Sequence, residues 1–233
     1  MSTAEHDVTA ATTRRSRGRP RVPFDRIVTT ALRIVDEDGA DALSMRTLAQ
    51  RLDSSTAVLY RAVANRAELI GHVVDWVFGE IEFDPDVFGD ADWPQGCRSA
   101  AQAMFDTLRS HRGIARLLIE QVPTGPNTLA LREQFLAMLL ANGFAPDAAA
   151  RAYATIARYV LGFAAQLHGH NTAENIDATT LSTLYHELDP TRFPATVAVA
   201  DYLPAQTLEE EFGFGLQLIV AGLTAHHEST AGR

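Results

Sequence analysis

The chain has 233 residues, 46% of them hydrophobic, enough for a sizeable core in one large domain or two small ones. No apolar run approaches the roughly 18 residues of a membrane span, and no apolar block follows the arginine-rich start as it would in a secretory signal. A single cysteine, Cys97, excludes an intrachain disulfide, so a cytoplasmic protein is expected.

The formal net charge is −9, unevenly divided. Residues 14–66 carry 11 arginines against 6 carboxylates, whereas residues 67–233 carry 9 against 21. The pattern suggests a polyanion-binding head on a body that does not bind polyanions, with a solvated basic face as the plainer alternative.

In chain order, residues 1–23 lack apolar periodicity and read as a disordered basic arm. A helix is expected from Asp25, with Ile27, Ala31, Leu32, Ile34 and Val35 on one face and a stop at Gly39. Ser44 can cap a second helix with Met45, Leu48, Ala49 and Leu52 inward. Ser54 or Ser55 can cap a short third one, and a fourth spans residues 66–78. Residues 83–93 are turn-like. Helical patterns follow at about 93–110, 112–122 and 127–142, the last closed by Asn142-Gly143. Pro146 opens the most regular helix, residues 169–180 read as loop, and a last apolar helix covers about 207–225. The fold class is therefore all-α. It comprises a three-helix head over 24–70 behind the 1–23 arm, and a larger helical body over 71–228.

Residues 44–69, SMRTLAQRLDSSTAVLYRAVANRAEL, carry the chemistry. Two short helices separated by about three residues, with Leu48, Leu52 and Leu59 as shared core, have the form of a helix-turn-helix. The outward face of the second helix (Thr56, Ala57, Val58) is short and uncharged, suited to base edges in the major groove. Ser44, Thr47, Ser55, Tyr60 and Arg66 surround it as candidate phosphate ligands. In the arm, Arg-Gly-Arg-Pro is either a minor-groove element acting through Arg17 and Arg19 or a tail of non-specific affinity.

This stretch resembles the DNA-binding domain of tetracycline-repressor (TetR) family regulators, through Leu59-Tyr60 and Arg66. The resemblance implies base contacts by Arg46 and Thr56 and phosphate contacts by Ser44, Tyr60 and Arg66. Two positions depart from the family pattern. Asp53 stands where the helix turn usually has Gly, and Asp tolerates the left-handed region better than most residues. Ala62 replaces the usual His or aromatic residue, leaving Arg61 to compensate.

The body also resembles that family's C-terminal domain, over about 93–166 and 210–223, through HRGIARLL, LLANGFAPDAAARAY, YVLGF and EFGFGLQLIVAGL. The resemblance implies a homodimer built on the helices at 147–168 and 207–225. Its candidate interface residues are Ile156, Val160, Phe212, Phe214, Leu216, Ile219 and Leu223, with burial inside one chain as the alternative. It further implies an effector enclosed among the middle helices. Met104, Phe105, Leu108, Leu118, Phe135, Tyr153, Ile156 and Phe163 are candidate lining residues, each equally able to serve as core. The family's drug–magnesium ligands fall here on Leu118, Arg158 and Gln166, so an apolar effector is expected rather than a tetracycline–magnesium chelate.

No cofactor, metal or membrane is expected as a partner. The His168-Gly169-His170 pair lacks an acidic or Cys companion, and no lysine or nucleophile motif supports catalysis. The expected function is a dimeric, ligand-responsive repressor on a pseudo-palindromic DNA operator. The rivals are an effector-independent architectural protein and a helical enzyme or carrier with an incidental basic end.

Overall fold

A computed structural model describes residues 22–81, 92–120, 122–167 and 176–231. Among the described residues there are eleven α-helices, one 3-10 turn and no strand.

Helix α1 (Phe24–Asp38) buries Ile27, Val28, Ala31, Leu32, Ile34 and Val35, and ends at Gly39. It begins ahead of the expected start, capped at Pro23, so Asp25 lies in its first turn, where a carboxylate favours the helix dipole. After the 3-10 turn Ala40–Ala42 comes α2 (Met45–Arg51), capped by Ser44 Oγ, which accepts from Thr47 N–H at 3.0 Å. The chain leaves α2 through a Schellman turn. Ser54 N–H donates to Ala49 O at 2.9 Å and Asp53 N–H to Gln50 O at 3.1 Å, with Asp53 at φ 47°. Asp therefore does take the left-handed position. Helix α3 (Thr56–Leu59) is a single turn behind Ser55, whose side chain makes no cap bond. Helix α4 (Arg66–Phe78) starts at Asn65, which accepts from Glu68 N–H at 2.9 Å.

The body holds α5 (Trp93–Ser110), α6 (Ile114–Glu120), α7 (Pro126–Ala141), α8 (Pro146–Gln166), α9 (Ala178–His186), α10 (Pro194–Ala198) and α11 (Leu208–Ala231). Helices α5, α8 and α11 pack mutually, and α7 packs on α4, α5 and α8. Gly143 closes α7 at φ 85°, in a second Schellman turn: its N–H donates to Leu140 O and Phe144 N–H donates to Leu139 O. Helix α9 replaces the end of the expected loop over 169–180, and α10 was not marked by periodicity. Neither helix has a fully buried residue, so neither shows the apolar stripe by which a helix is read from sequence. The division at 70/71 falls inside α4, whose buried face continues from Leu69 to Phe78, and one apolar core runs from the head into the body.

Candidate DNA-binding surface and effector cavity

The head presents a polar rim around α3. Arg46, Ser55, Thr56, Ala57, Tyr60 and Arg61 are exposed, Tyr60 at 54%, while Leu48, Leu52 and Leu59 are buried beneath them. Local chemistry explains this exposure: the left-handed Asp53 turns the chain sharply, and α3 is too short to bury more than Leu59. Four candidates are placed otherwise than expected. Val58 is half-buried. Ser44 and Thr47 direct their hydroxyls at each other, 2.8 Å apart, as part of the α2 cap. Arg66 is engaged within the chain. Its Nε donates to Leu43 O at 2.8 Å and a terminal nitrogen to Ala40 O at 3.3 Å, so the guanidinium ties α4 to the 3-10 turn. Arg17, Arg19 and the His168–His170 pair lie outside the described residues.

The body contains a cavity of ≈ 330 Å³ between α4, α5, α7 and α8, within the size range of small-molecule sites. Met104, Leu118, Phe135, Tyr153 and Ile156 line it as expected. Phe105, Leu108 and Phe163 do not. Phe105 is fully buried and stacks on Phe212 at 4.2 Å, Leu108 is core, and Phe163 packs on Tyr159 and Phe212 at 4.9 and 5.6 Å. The apolar signal alone did not separate cavity wall from core. Sequence reasoning missed Phe78, Thr128 and Arg132, which also line the cavity. Arg132 Nε donates to Tyr153 Oη at 3.1 Å and its terminal nitrogen to Pro123 O at 3.1 Å.

Two polar ties connect these parts. Asp75 in α4, 8% exposed, accepts from Thr128 N–H at 3.0 Å and Thr128 Oγ1 at 3.1 Å, capping the start of α7 from outside. Gly125 makes this approach possible, because a Cβ there would overlap the Asp75 carboxyl. His111, between α5 and α6, bonds Asp36 of α1 through Nδ1 at 2.8 Å and Glu80 beyond α4 through Nε2 at 2.9 Å. Two carboxylate acceptors require both ring nitrogens to donate, hence an imidazolium. The pair of partners lifts its pKa from 6.5 to about 9, chiefly through the Asp36 hydrogen bond and against the opposing effect of burial. Burial pushes the Cys97 thiol up to about 12, so it stays protonated at neutral pH.

Residues 85–227 match the family model described as tetracyclin repressor-like, C-terminal domain. An HTH-type transcriptional regulator of Saccharopolyspora erythraea is 31% identical over 219 residues, covering 91% of this chain and 89% of the relative. This chain belongs to the TetR family. The repressor DrrR1 of Streptomyces coeruleorubidus is 29% identical, over 90% of this chain and 80% of its own. Apo ActR from Streptomyces coelicolor matches with a TM-score of 0.81 at 32% identity, over 91% of this chain and 100% of that one. ActR in complex with actinorhodin matches at 0.80 and 33%, over 88% of this chain and 98% of that one. The chain is thus a ligand-responsive, DNA-binding transcriptional regulator of the repressor type.

TetR-family regulators act as dimers, and the final helix presents two kinds of apolar residue. Phe212 and Leu216 are buried within the chain, as are Val160 and Ile156 on α8. These four belong to the core or cavity wall, which corrects their assignment to an interface. Ile219 and Leu223 are half-buried against the same core. Phe214 and Leu218 stand out at 65% and 57% exposure, on the opposite side of α11. Among the described residues no helix is long and apolar enough to cross a membrane.

Proposed function

We propose that two copies of the chain pair through α8 and α11, with Phe214 and Leu218 at the seam. Each α3 then enters the major groove of one half-site of a pseudo-palindromic operator. Thr56 and Arg46 read base edges, while Tyr60, Ser55 and Arg61 hold phosphates. An apolar small molecule in the body cavity acts as effector. The likeness to ActR, solved in complex with actinorhodin, supports a small-molecule effector.

The observation that carries this reading is that a single helix serves both ends. Helix α4 begins at Arg66, bound to the head's 3-10 turn, and ends at Phe78 in the cavity wall. Asp75, between them, grips Thr128, another wall residue. A ligand that displaces this wall moves the helix that carries the head. Complete switching requires the ligand to prefer one state by roughly 5.5 kcal/mol.

The test is fluorescence anisotropy on duplexes selected from genomic fragments by the full chain. Tyr60→Ala is expected to weaken all duplexes alike and to flatten the salt dependence, whereas Thr56→Ala relaxes base preference. Unchanged affinity in the first variant and an unchanged selected motif in the second would refute the assigned surface.

A further inference from the structure

Taking that cavity as the effector site, we infer that its effector is an apolar ring compound bearing an acidic group, held by Arg132 and Tyr153. The charge pattern leads to this. Residues 67–233 carry 21 carboxylates, yet among the described residues lining the cavity there is no Asp or Glu, while two arginines are there, Arg132 and Arg158. No described carboxylate pairs with either guanidinium. A cation-lined cavity inside an acidic body is a local inversion of the protein's field, and it selects for negative charge.

Arg132 is half-buried, and its protein neighbours occupy only part of its donor capacity. Of the five N–H donors of a guanidinium, one meets Tyr153 Oη and one meets Pro123 O, both neutral acceptors, which leaves three for a ligand. The same bonds fix its orientation, and its Cζ lies 5.7 Å from the Tyr153 ring centroid. Because the Tyr153 oxygen accepts from Arg132, its own hydroxyl proton is free to be donated. Guanidinium and phenol together form a two-pronged donor set that matches a carboxylate. Phe135, Met104 and Ile156 supply the surface for the rings. Arg158 is exposed at the rim, where it draws an anion inward without enclosing it.

The full-length dimer is titrated by calorimetry with three probes of one ring system: anthracene carboxylate, its neutral carboxamide and the cationic aminomethyl analogue. The carboxylate is expected to bind roughly tenfold more tightly than the amide, the margin one charge-assisted hydrogen bond supports, and the cation more weakly than either. Arg132→Gln is expected to shrink the acid-over-amide margin to within about twofold, with a cooperative urea transition checking that the variant is folded. Equal binding of acid and amide by the wild type, or preference for the cation, overturns this proposal while the effector cavity stands. A margin that survives Arg132→Gln but disappears in Arg158→Gln overturns the assignment to Arg132. Binding of none of the three overturns the effector cavity itself, and this proposal with it.

Discussion

Along α4 the head is tied to the body by a half-buried guanidinium at one end and a buried carboxylate at the other, whereas between α1 and the α5–α6 turn it is tied by ion pairs to exposed carboxylates. The first connection consists of Arg66 on Leu43 and Ala40 at one end and Asp75 on Thr128 at the other. The second consists of His111 between Asp36 and Glu80, with Arg116 paired to Asp41 at 2.8 Å. Breaking the buried Asp75–Thr128 tie leaves an unsatisfied group, so its loss costs the full desolvation penalty, and the half-buried Arg66 tie costs part of it. Surface pairs exchange with water and salt and carry little each. A molecule that must move its head as a unit gains from this division. In the proposed mechanism the α4 ties let the helix move as a lever, and the outer ones hold it in place without locking it.

The largest effect should come from the α4–α7 tie. Gly125→Ala drives a methyl group into the Asp75 carboxyl and is expected to cost about 3 kcal/mol, read as a lowered urea midpoint. Asp75→Leu should cost a similar amount by leaving the start of α7 uncapped. Asp75→Asn keeps an oxygen for Thr128 and should lose only about 1 kcal/mol. A Gly125→Ala midpoint equal to wild type would show that this end of the lever is slack.

Arg66→Ala comes next, with an expected loss of about 2 kcal/mol for two charged-donor hydrogen bonds. It also separates a structural role from a phosphate contact. As a brace, Arg66 changes stability and leaves the salt dependence of operator binding as it was. As a phosphate ligand it would lower the salt slope by about one while stability held. Urea unfolding and anisotropy across a salt series, run on the same variant, decide between them.

These ties also mark where reading from sequence stopped. Signals confined to a few neighbouring residues survived into the structure: Ser44 capping, Asp53 in the left-handed turn, Asn142-Gly143 closing a helix. So did the apolar face of α1 and the core of Leu48, Leu52 and Leu59. Asp75 meets a partner 53 residues away and His111 one 75 residues away, and nothing local announces either. Periodicity marks a face as apolar without saying what covers it. Phe105 and Met104 are adjacent and look alike in sequence, yet one stacks on Phe212 and the other lines the cavity. Phe212 and Phe214 divide in the same way between core and surface.

The smallest effect, and the one most tunable by conditions, belongs to His111. Its folded pKa of about 9 lies above the 6.5 of an unconstrained imidazole, so protonation favours the folded arrangement. The stabilisation is fully present below pH 6.5 and is lost as pH rises through about 9. Its partners Asp36 and Glu80 are exposed, so screening should hold it to about 1 kcal/mol. Wild type minus His111→Gln, followed by urea unfolding across that interval, should show a difference that shrinks towards alkaline pH and with added salt. Asp75→Asn, carried through the same series, should show a cost that salt hardly alters, because its partners lie out of water. A salt-sensitive Asp75 or a salt-insensitive His111 would erase the distinction between the two connections. In its place would stand a single interface whose strength follows charge throughout, and a lever that loosens wherever the head itself loosens.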